Sequence, residues 1–183
     1  MAKANPKHYV NNKELYAVMQ EYIANVKEAE DSGGTLPRVP NSVGKALVQI
    51  ANRLATKPNF SGYTYKEEMI SDGIENALMY INNFNPEKSN NPFAYFTQII
   101  YFAFIRRIQK EKKQTYIKYK AFEKSVVFNE SVISDTHIDN PLDNSGTSDF
   151  RGEFIKNYEA SLKEKREKTK QAKLERESDN EQN

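Results

Sequence analysis

The chain has 183 residues, no cysteine and a formal net charge of +2. Without cysteine it can form neither a disulfide nor a zinc–thiolate site, and it has no thiol nucleophile. It contains no run of about 18 apolar residues that could span a membrane and no N-terminal apolar segment typical of a signal peptide. We therefore expect an intracellular protein with one modest domain and tails.

Charge is unevenly distributed along the chain. Residues 67–75 carry only acidic charges, whereas residues 106–124 carry mostly basic ones. An acidic patch and a basic patch on one small protein suggest two different partners.

Apolar residues recur on one helical face in three early segments, which predicts helices over residues 11–30, 42–57 and 65–82. Glycine and proline mark a loop at residues 31–41, and NFSGYT at residues 59–64 marks a turn. Gly73 lies inside the third helix, where glycine costs about 1 kcal/mol relative to alanine. It either allows a neighbouring helix to come close or is simply tolerated there.

Residues 91–113, NPFAYFTQIIYFAFIRRIQKEKK, predict the central helix. Its Asn-Pro start is a cap followed by the one helical position that tolerates proline, and no glycine or proline follows. One face is apolar and predicts core: Phe93, Phe96, Ile100, Ala103 and Phe104. A second face begins with aromatic residues and ends with cations: Tyr95, Gln98, Phe102, Arg106, Gln109 and Lys113.

This second face suits neither a core nor an ordinary surface. Its amide and guanidinium groups are too polar for a core, whereas Tyr95, Tyr101 and Phe102, on or beside it, would be left in water. Such a mixture suits single-stranded nucleic acid, because bases stack on the rings, at about 1–3 kcal/mol each, while cations hold phosphates. Taken alone, the segment also fits an ordinary buried helix with a basic end.

The C-terminal third is harder to interpret. From Gln114 the chain is basic and aromatic, and it either extends the central helix or forms a short further one. Residues 129–150 predict a poorly ordered linker, and residues 151–176 could form a solvated helix with few apolar positions. The last residues, SDNEQN, should be disordered.

The sequence thus predicts an all-α protein. We expect a disordered lead-in over residues 1–10, a compact helical bundle over 11–128, and a linker with a charged tail over 129–183.

The sequence offers no catalytic constellation. Its two histidines, His8 and His137, lie in predicted loops, and there is no zinc-protease helix motif, P-loop or nucleophile elbow. Asp72 and Glu75 share a helix face that could hold a hard metal, but a solvated acidic face is the favoured interpretation. We therefore expect neither enzymatic activity nor a metal or other cofactor.

The order of these features resembles region 2 of bacterial sigma factors, the promoter-specificity subunits of RNA polymerase. In detail the chain is more similar to the late-transcription sigma factors of T-even-like phages. The segments that carry the resemblance are YVNNKEL (9–15), NFSGYT (59–64), EEMISDGIE (67–75), NPFAYFTQI (91–99) and RRIQKEKK (106–113). As a set these motifs are fairly specific, and they cover about residues 9–125.

The resemblance implies an all-helical fold without catalysis, acting in the cytoplasm of an infected bacterial host. It further implies that the acidic helix docks on the clamp helices of the large subunit of the host core polymerase. Carried onto this chain, the docking positions are Glu68, Ser71, Asp72 and Leu78. Glu68 and Asp72 lie four residues apart on one face and are suited to pair with arginines of a basic partner helix.

The resemblance also implies that the central helix recognises and melts an A·T-rich promoter element just upstream of the start site. The implied DNA-binding positions are Tyr95, Gln98, Ile99, Tyr101, Phe102, Arg106, Arg107, Lys110, Lys112 and Lys113. Tyr95 matches a tyrosine that helps hold an extruded adenine. Gln98 and Ile99 replace the aromatic pair that primary sigma factors use for melting, so Tyr101 or Phe102 would take over part of the stacking.

Phe102 also replaces the amide that meets the upstream-most base pair of the element in primary sigma factors. We therefore expect a different sequence preference. The cations of the basic run are expected to hold the DNA backbone without reading bases.

Phage late sigma factors work with a co-activator and the DNA sliding clamp, which they grip with a short acidic and hydrophobic C-terminal peptide. This chain ends in ERESDNEQN, with no apolar residue after Leu174. SDFRGEF, residues 148–154, is a weak alternative candidate for that peptide. We expect recognition of the near-start element only and poor DNA binding by the protein alone.

Two other functions remain open from the sequence. One is a helical adaptor, a co-activator or an anti-sigma factor, that binds polymerase without reading promoter DNA. The other is a general single-strand-binding protein. The basic and aromatic segment argues against the adaptor, and the acidic helix argues against the general binder.

Overall fold

The computed structural model describes residues 9–133 and 145–181, and the side-chain surroundings of residues 9–125 and 150–175. Over that part of the chain the structure contains helices and no strand, which confirms the all-α prediction. The helices are α1 (Asn12–Ser32), α2 (Asn41–Ala55), α3 (Pro58–Ser61), α4 (Lys66–Met79), α5 (Pro92–Ile133) and α6 (Ser145–Glu181), with a 3₁₀ turn over Ile81–Asn83. Residues 1–8 of the predicted lead-in, residues 134–144 of the predicted linker and the last two residues lie outside the described part.

Local sequence explains where the early helices begin and end. The side chain of Asn11 accepts a hydrogen bond from the backbone N–H of Lys13 and caps α1. α1 ends at Gly33, whose φ of 65° is a left-handed conformation that suits glycine. Pro58 occupies the first position of α3. Residues 59–61 of the predicted NFSGYT turn therefore form a single helical turn.

The chain divides into two compact units, one over Met1–Lys110 and one over Glu111–Asn183. The N-terminal unit has a core centred on α2, whose Val43, Leu47 and Ile50 are fully buried. α2 packs against α1, α3 and α4. α1 contributes Leu15, Met19, Tyr22, Ile23 and Val26 to the same core.

Gly73 is one of the buried residues of α4. A Cβ atom at Gly73 would lie 2.8 Å from Phe104 Cε1 and 2.9 Å from Ile100 Cγ2, so these two α5 side chains fill the space over the glycine. Gly73 is therefore required for packing against a neighbouring helix rather than merely tolerated.

α5 begins as predicted and continues further. The side chain of Asn91 accepts a hydrogen bond of 3.0 Å from the backbone N–H of Ala94, and Pro92 is the first helical residue. The predicted core face is confirmed, with Phe96, Ile100, Ala103 and Phe104 buried and Phe93 partly buried. The helix runs to Ile133 because neither glycine nor proline interrupts it after Pro92.

The C-terminal unit is a helical hairpin formed by the second half of α5 and by α6. Tyr116 stacks on Tyr158 at 4.7 Å between ring centroids, and Tyr119 meets Phe154 edge-on at 5.5 Å. The later residue of α5, Tyr119, contacts the earlier residue of α6, Phe154, so the two helices run antiparallel. α6 is longer than predicted: it includes residues 145–150, which the sequence placed in a linker, and extends beyond residue 176.

Candidate docking and nucleic-acid surfaces

The outer face of α4 presents carboxylates followed by apolar side chains. Glu68, Ser71 and Glu75 are exposed, and at helical spacing they lie on one side of the helix. At the end of the same helix Leu78 is 40% exposed and Met79 is 65% exposed. Neither Glu68 nor Glu75 forms an ion pair within the part of the chain that the structure describes.

Asp72 differs from the other three predicted docking residues. Its carboxylate accepts two hydrogen bonds from Arg107 of α5, from Nε at 2.6 Å and from Nη2 at 2.8 Å. The Asp72 side chain is 30% exposed and that of Arg107 only 17%. The structure therefore brings together one residue predicted to contact polymerase and one predicted to contact DNA.

Arg106 of α5 is oriented by a neutral partner on α4. Its Nη2 donates a hydrogen bond of 2.7 Å to Oδ1 of Asn76, and Arg106 is exposed. Nδ2 of Asn76 in turn donates to the backbone carbonyl of Asp72 at 2.7 Å. Asn76 was not among the predicted site residues, although its position four residues after Asp72 places it on the same side of α4.

Two neighbouring rings of α5 are exposed. Phe102 is 49% exposed and Tyr101 is 39% exposed, and their centroids lie 5.6 Å apart. Tyr101 is supported by the buried Phe60 of α3, whose ring it meets edge-on at 5.6 Å. Gln98, one turn before Phe102, is also exposed, whereas Ile99 is partly buried.

Tyr95 is held more firmly than the other predicted base-contacting residues. Its hydroxyl donates a hydrogen bond of 2.8 Å to the backbone carbonyl of Tyr80. Its partly buried ring packs on Phe84 at 5.3 Å and on Phe96 at 5.2 Å, and this burial raises the pKa of Tyr95. The ring and hydroxyl of Tyr95 therefore already contribute to the N-terminal unit, and Phe102 has the larger free surface.

The three predicted lysines are exposed. Lys110 ends the N-terminal unit, and Lys112 and Lys113 begin the C-terminal unit on the same helix. None of the three forms an ion pair within the described residues. Their ammonium groups are available to phosphates.

The C-terminal unit contains a polar cluster beside its stacked rings. Glu159 accepts hydrogen bonds from the Tyr116 hydroxyl at 2.9 Å and pairs with Lys120 Nζ at 3.2 Å. These two donors, Tyr116 first, lower the pKa of Glu159. The guanidinium of Arg151 lies over the ring of Phe122 at 4.4 Å.

A cavity of about 360 Å³ lies along α6, lined by Phe150, Phe154, Tyr158, Lys112 and polar neighbours. Within the SDFRGEF segment, Phe154 is packed between Tyr119 and Tyr158, whereas Phe150 is 62% exposed. Of the two phenylalanines, only Phe150 is thus free to contact a partner.

The side chains of the described residues offer no group of three or more acidic or histidine ligands for a metal ion. Among the helices over the same residues, none is both long enough and apolar enough to cross a bilayer. Comparison with models of known protein families finds no match, and comparison with curated protein sequences finds none either.

Proposed function

We propose that this protein is a sigma factor of the phage late-transcription type. In this role it binds the core RNA polymerase of a bacterial host and directs it to an A·T-rich element just upstream of the start site. The observation that carries the proposal is the exposed ring of Phe102 one helical turn before the exposed Arg106, on the helix that packs against α4.

Energetics supports the DNA-binding half of the proposal. Extruding a base from a duplex costs a few kcal/mol and least where pairing is weak, as in A·T-rich DNA. Stacking on Phe102 and Tyr101 would offset about 1–3 kcal/mol per base. Arg106 and the lysines that follow it would add phosphate contacts, each of which makes binding more salt-dependent.

The outer face of α4 supports the polymerase-binding half. Glu68 and Glu75 are exposed and unpaired within the described residues, so they keep their full charge for a cationic partner helix. Leu78 and Met79 extend the same side with apolar surface. A charged rim next to apolar side chains is the composition expected of a helix that docks on another protein.

Run-off transcription from an A·T-rich promoter tests the proposal. With host core polymerase, the unaltered protein should give promoter-specific transcripts, and Phe102→Ala and Arg106→Ala should each reduce them at least tenfold. Lys45→Ala, which removes an exposed cation of α2, is the matched control and should leave them unchanged. Promoter-specific transcripts that survive both α5 changes would contradict the proposal.

Polymerase binding is tested separately by pull-down with core polymerase. Charge reversal at Glu68 and Glu75 together should abolish capture, whereas Glu28→Lys on the exposed side of α1 should not. Equal capture of both variants would contradict the proposal that α4 is the docking helix.

A polymerase-binding adaptor without DNA readout is the second candidate. The bond between Asp72 and Arg107 favours it, because that bond occupies a cation otherwise expected at DNA. An adaptor would be captured by core polymerase, and capture would depend on Glu68 and Glu75. It would give no promoter-specific transcript.

A further inference from the structure

The two adjacent arginines of α5 have different partners on α4. Arg107 donates two hydrogen bonds to a carboxylate, whereas Arg106 donates one to a neutral amide. A carboxylate cancels the charge of its arginine, but an amide leaves that charge intact. The partner on α4 therefore determines how much positive charge each arginine offers to a ligand.

The two arginines also differ in how far their side chains are exposed. The Arg107 side chain is only 17% exposed, and two of its five N–H groups are occupied by Asp72. Arg106 is exposed and gives one N–H to Asn76, so its other donors remain for a ligand.

The chemistry of Asn76 fits this task better than a carboxylate would. Its Nδ2 donates to the Asp72 carbonyl while its Oδ1 accepts from Arg106. The carbonyl has a second lone pair that accepts from Nδ2, and the guanidinium donates to Oδ1, so one orientation of the amide makes both hydrogen bonds. An aspartate here would lack the donor and would neutralise Arg106.

We infer that Asn76 is a positioning residue that presents the charged guanidinium of Arg106 to a nucleic-acid phosphate, while Asp72 withholds Arg107 from that contact. This inference rests on the proposed DNA-binding function. Of the two arginines, only Arg106 contacts a phosphate. α4 then contributes to the DNA-binding surface as well as to the proposed polymerase-docking surface.

The test measures how salt affects binding of A·T-rich DNA with a single-stranded segment by the complex of protein and core polymerase. Arg106→Ala should weaken binding and reduce the magnitude of the slope of log Kobs against log salt by about 0.7–0.9, which is the contribution of one neutralised phosphate. Asn76→Asp should flatten it by the same amount, because the arginine is neutralised. Asn76→Ala should weaken binding several-fold and keep the slope, because the charge stays but its direction is lost.

A double-mutant cycle separates positioning from a merely structural role. In the Arg106→Ala background, Asn76→Ala should cause no further loss of affinity, because Asn76 acts through Arg106. Asp72→Asn, which keeps an acceptor for Arg107 but removes the negative charge, should steepen the slope, and an unchanged slope would contradict the role given to Asp72. Thermal unfolding of each variant ensures that only folded proteins are compared.

The outcomes distinguish this inference from the proposed function. If the complex of the unaltered protein binds the DNA but Asn76→Asp keeps its full salt slope, or Asn76→Ala adds its loss to that of Arg106→Ala, the positioning role is overturned and the function stands. If the unaltered protein confers no DNA binding on polymerase, both are overturned.

Discussion

Asp72 and Arg107 join α4 to α5 through a two-pronged ion pair, with N···O distances of 2.6 and 2.8 Å. Both side chains are mostly withdrawn from water, and two charge-assisted hydrogen bonds join them. The pair lies beside Gly73, over which Phe104 and Ile100 of α5 pack. Ion pair and packing thus fix the rotation of α5 about its axis, and with it the direction in which Phe102 and Arg106 point.

Removing one partner of this pair should destabilise the N-terminal unit. Asp72→Ala removes two charge-assisted hydrogen bonds from the mostly buried Arg107 guanidinium, and we expect a loss of about 1–3 kcal/mol in the free energy of unfolding. Urea unfolding followed by circular dichroism measures it. The double variant Asp72→Ala/Arg107→Ala should lose less than the sum of the single variants. Strict additivity would show that the pair contributes no coupling.

Gly73→Ala should also destabilise the protein, although alanine is the better helix former. The added Cβ would meet Phe104 and Ile100 at distances under 3.0 Å, and such overpacking typically costs about 1–3 kcal/mol. The gain in helix propensity is about 1 kcal/mol, so we expect a net loss of up to about 2 kcal/mol.

Gly44→Ala is the matched control for this change. Gly44 also lies inside a helix, but a Cβ there meets nothing within 4 Å. It should stabilise the protein by up to about 1 kcal/mol. If Gly73→Ala were equally stabilising, the packing of α5 on α4 would have to be looser than described.

Tyr95→Phe should separate the structural role of Tyr95 from a role in DNA binding. It keeps the ring against Phe84 and Phe96 but removes the hydrogen bond to the Tyr80 carbonyl. We expect a loss of about 0.5–1.5 kcal/mol in stability and little change in run-off transcription at a temperature where the protein is folded. A large transcriptional defect with unchanged stability would assign the hydroxyl to the DNA.

Acid should weaken the C-terminal hairpin through Glu159. Its pKa is lowered in the folded state by Tyr116 and Lys120. The resulting stability is therefore fully present above the pKa of an unperturbed glutamate, about 4.3, and is lost as the pH falls through the lowered value.

Hydrogen exchange of the α6 amides at a series of pH values, corrected for intrinsic rates, measures this effect. Glu159→Gln should remove that part of the pH dependence, whereas Glu153→Gln, on the same helix but outside the cluster, should keep it. An unchanged pH profile in Glu159→Gln would mean that the cluster does not stabilise the hairpin.

Local signals made much of the fold predictable. Asn11 and the Asn91–Pro92 pair start helices through contacts within a few residues, so the sequence alone places those ends well. The buried face of α5 follows from its apolar spacing, and Phe96, Ile100 and Phe104 are indeed fully buried. Such features need no knowledge of how distant parts of the chain meet.

Features that depend on distant residues were not predictable. Asp72 and Arg107 are separated by 35 residues, and their pairing depends on how α4 and α5 are rotated relative to each other. The resemblance to sigma factors therefore assigned them to two different partners. The pairing of α6 with α5 was missed for a similar reason, because Phe154 and Tyr158 are isolated apolar positions in the sequence and only the fold places them against Tyr119 and Tyr116.

The exposure of Met79 gives the proposed docking face a built-in chemical reporter. Met79 is 65% exposed, whereas Met19 and Met69 are fully buried, so peroxide should convert the first thioether to its sulfoxide well before the other two. A protein seated on the end of α4 would shield that sulfur. Met69 and Met79 lie on one tryptic peptide, residues 67–88, so fragmentation of that peptide by tandem mass spectrometry would locate the sulfoxide and reveal occupancy of this face, with the two buried methionines as internal standards.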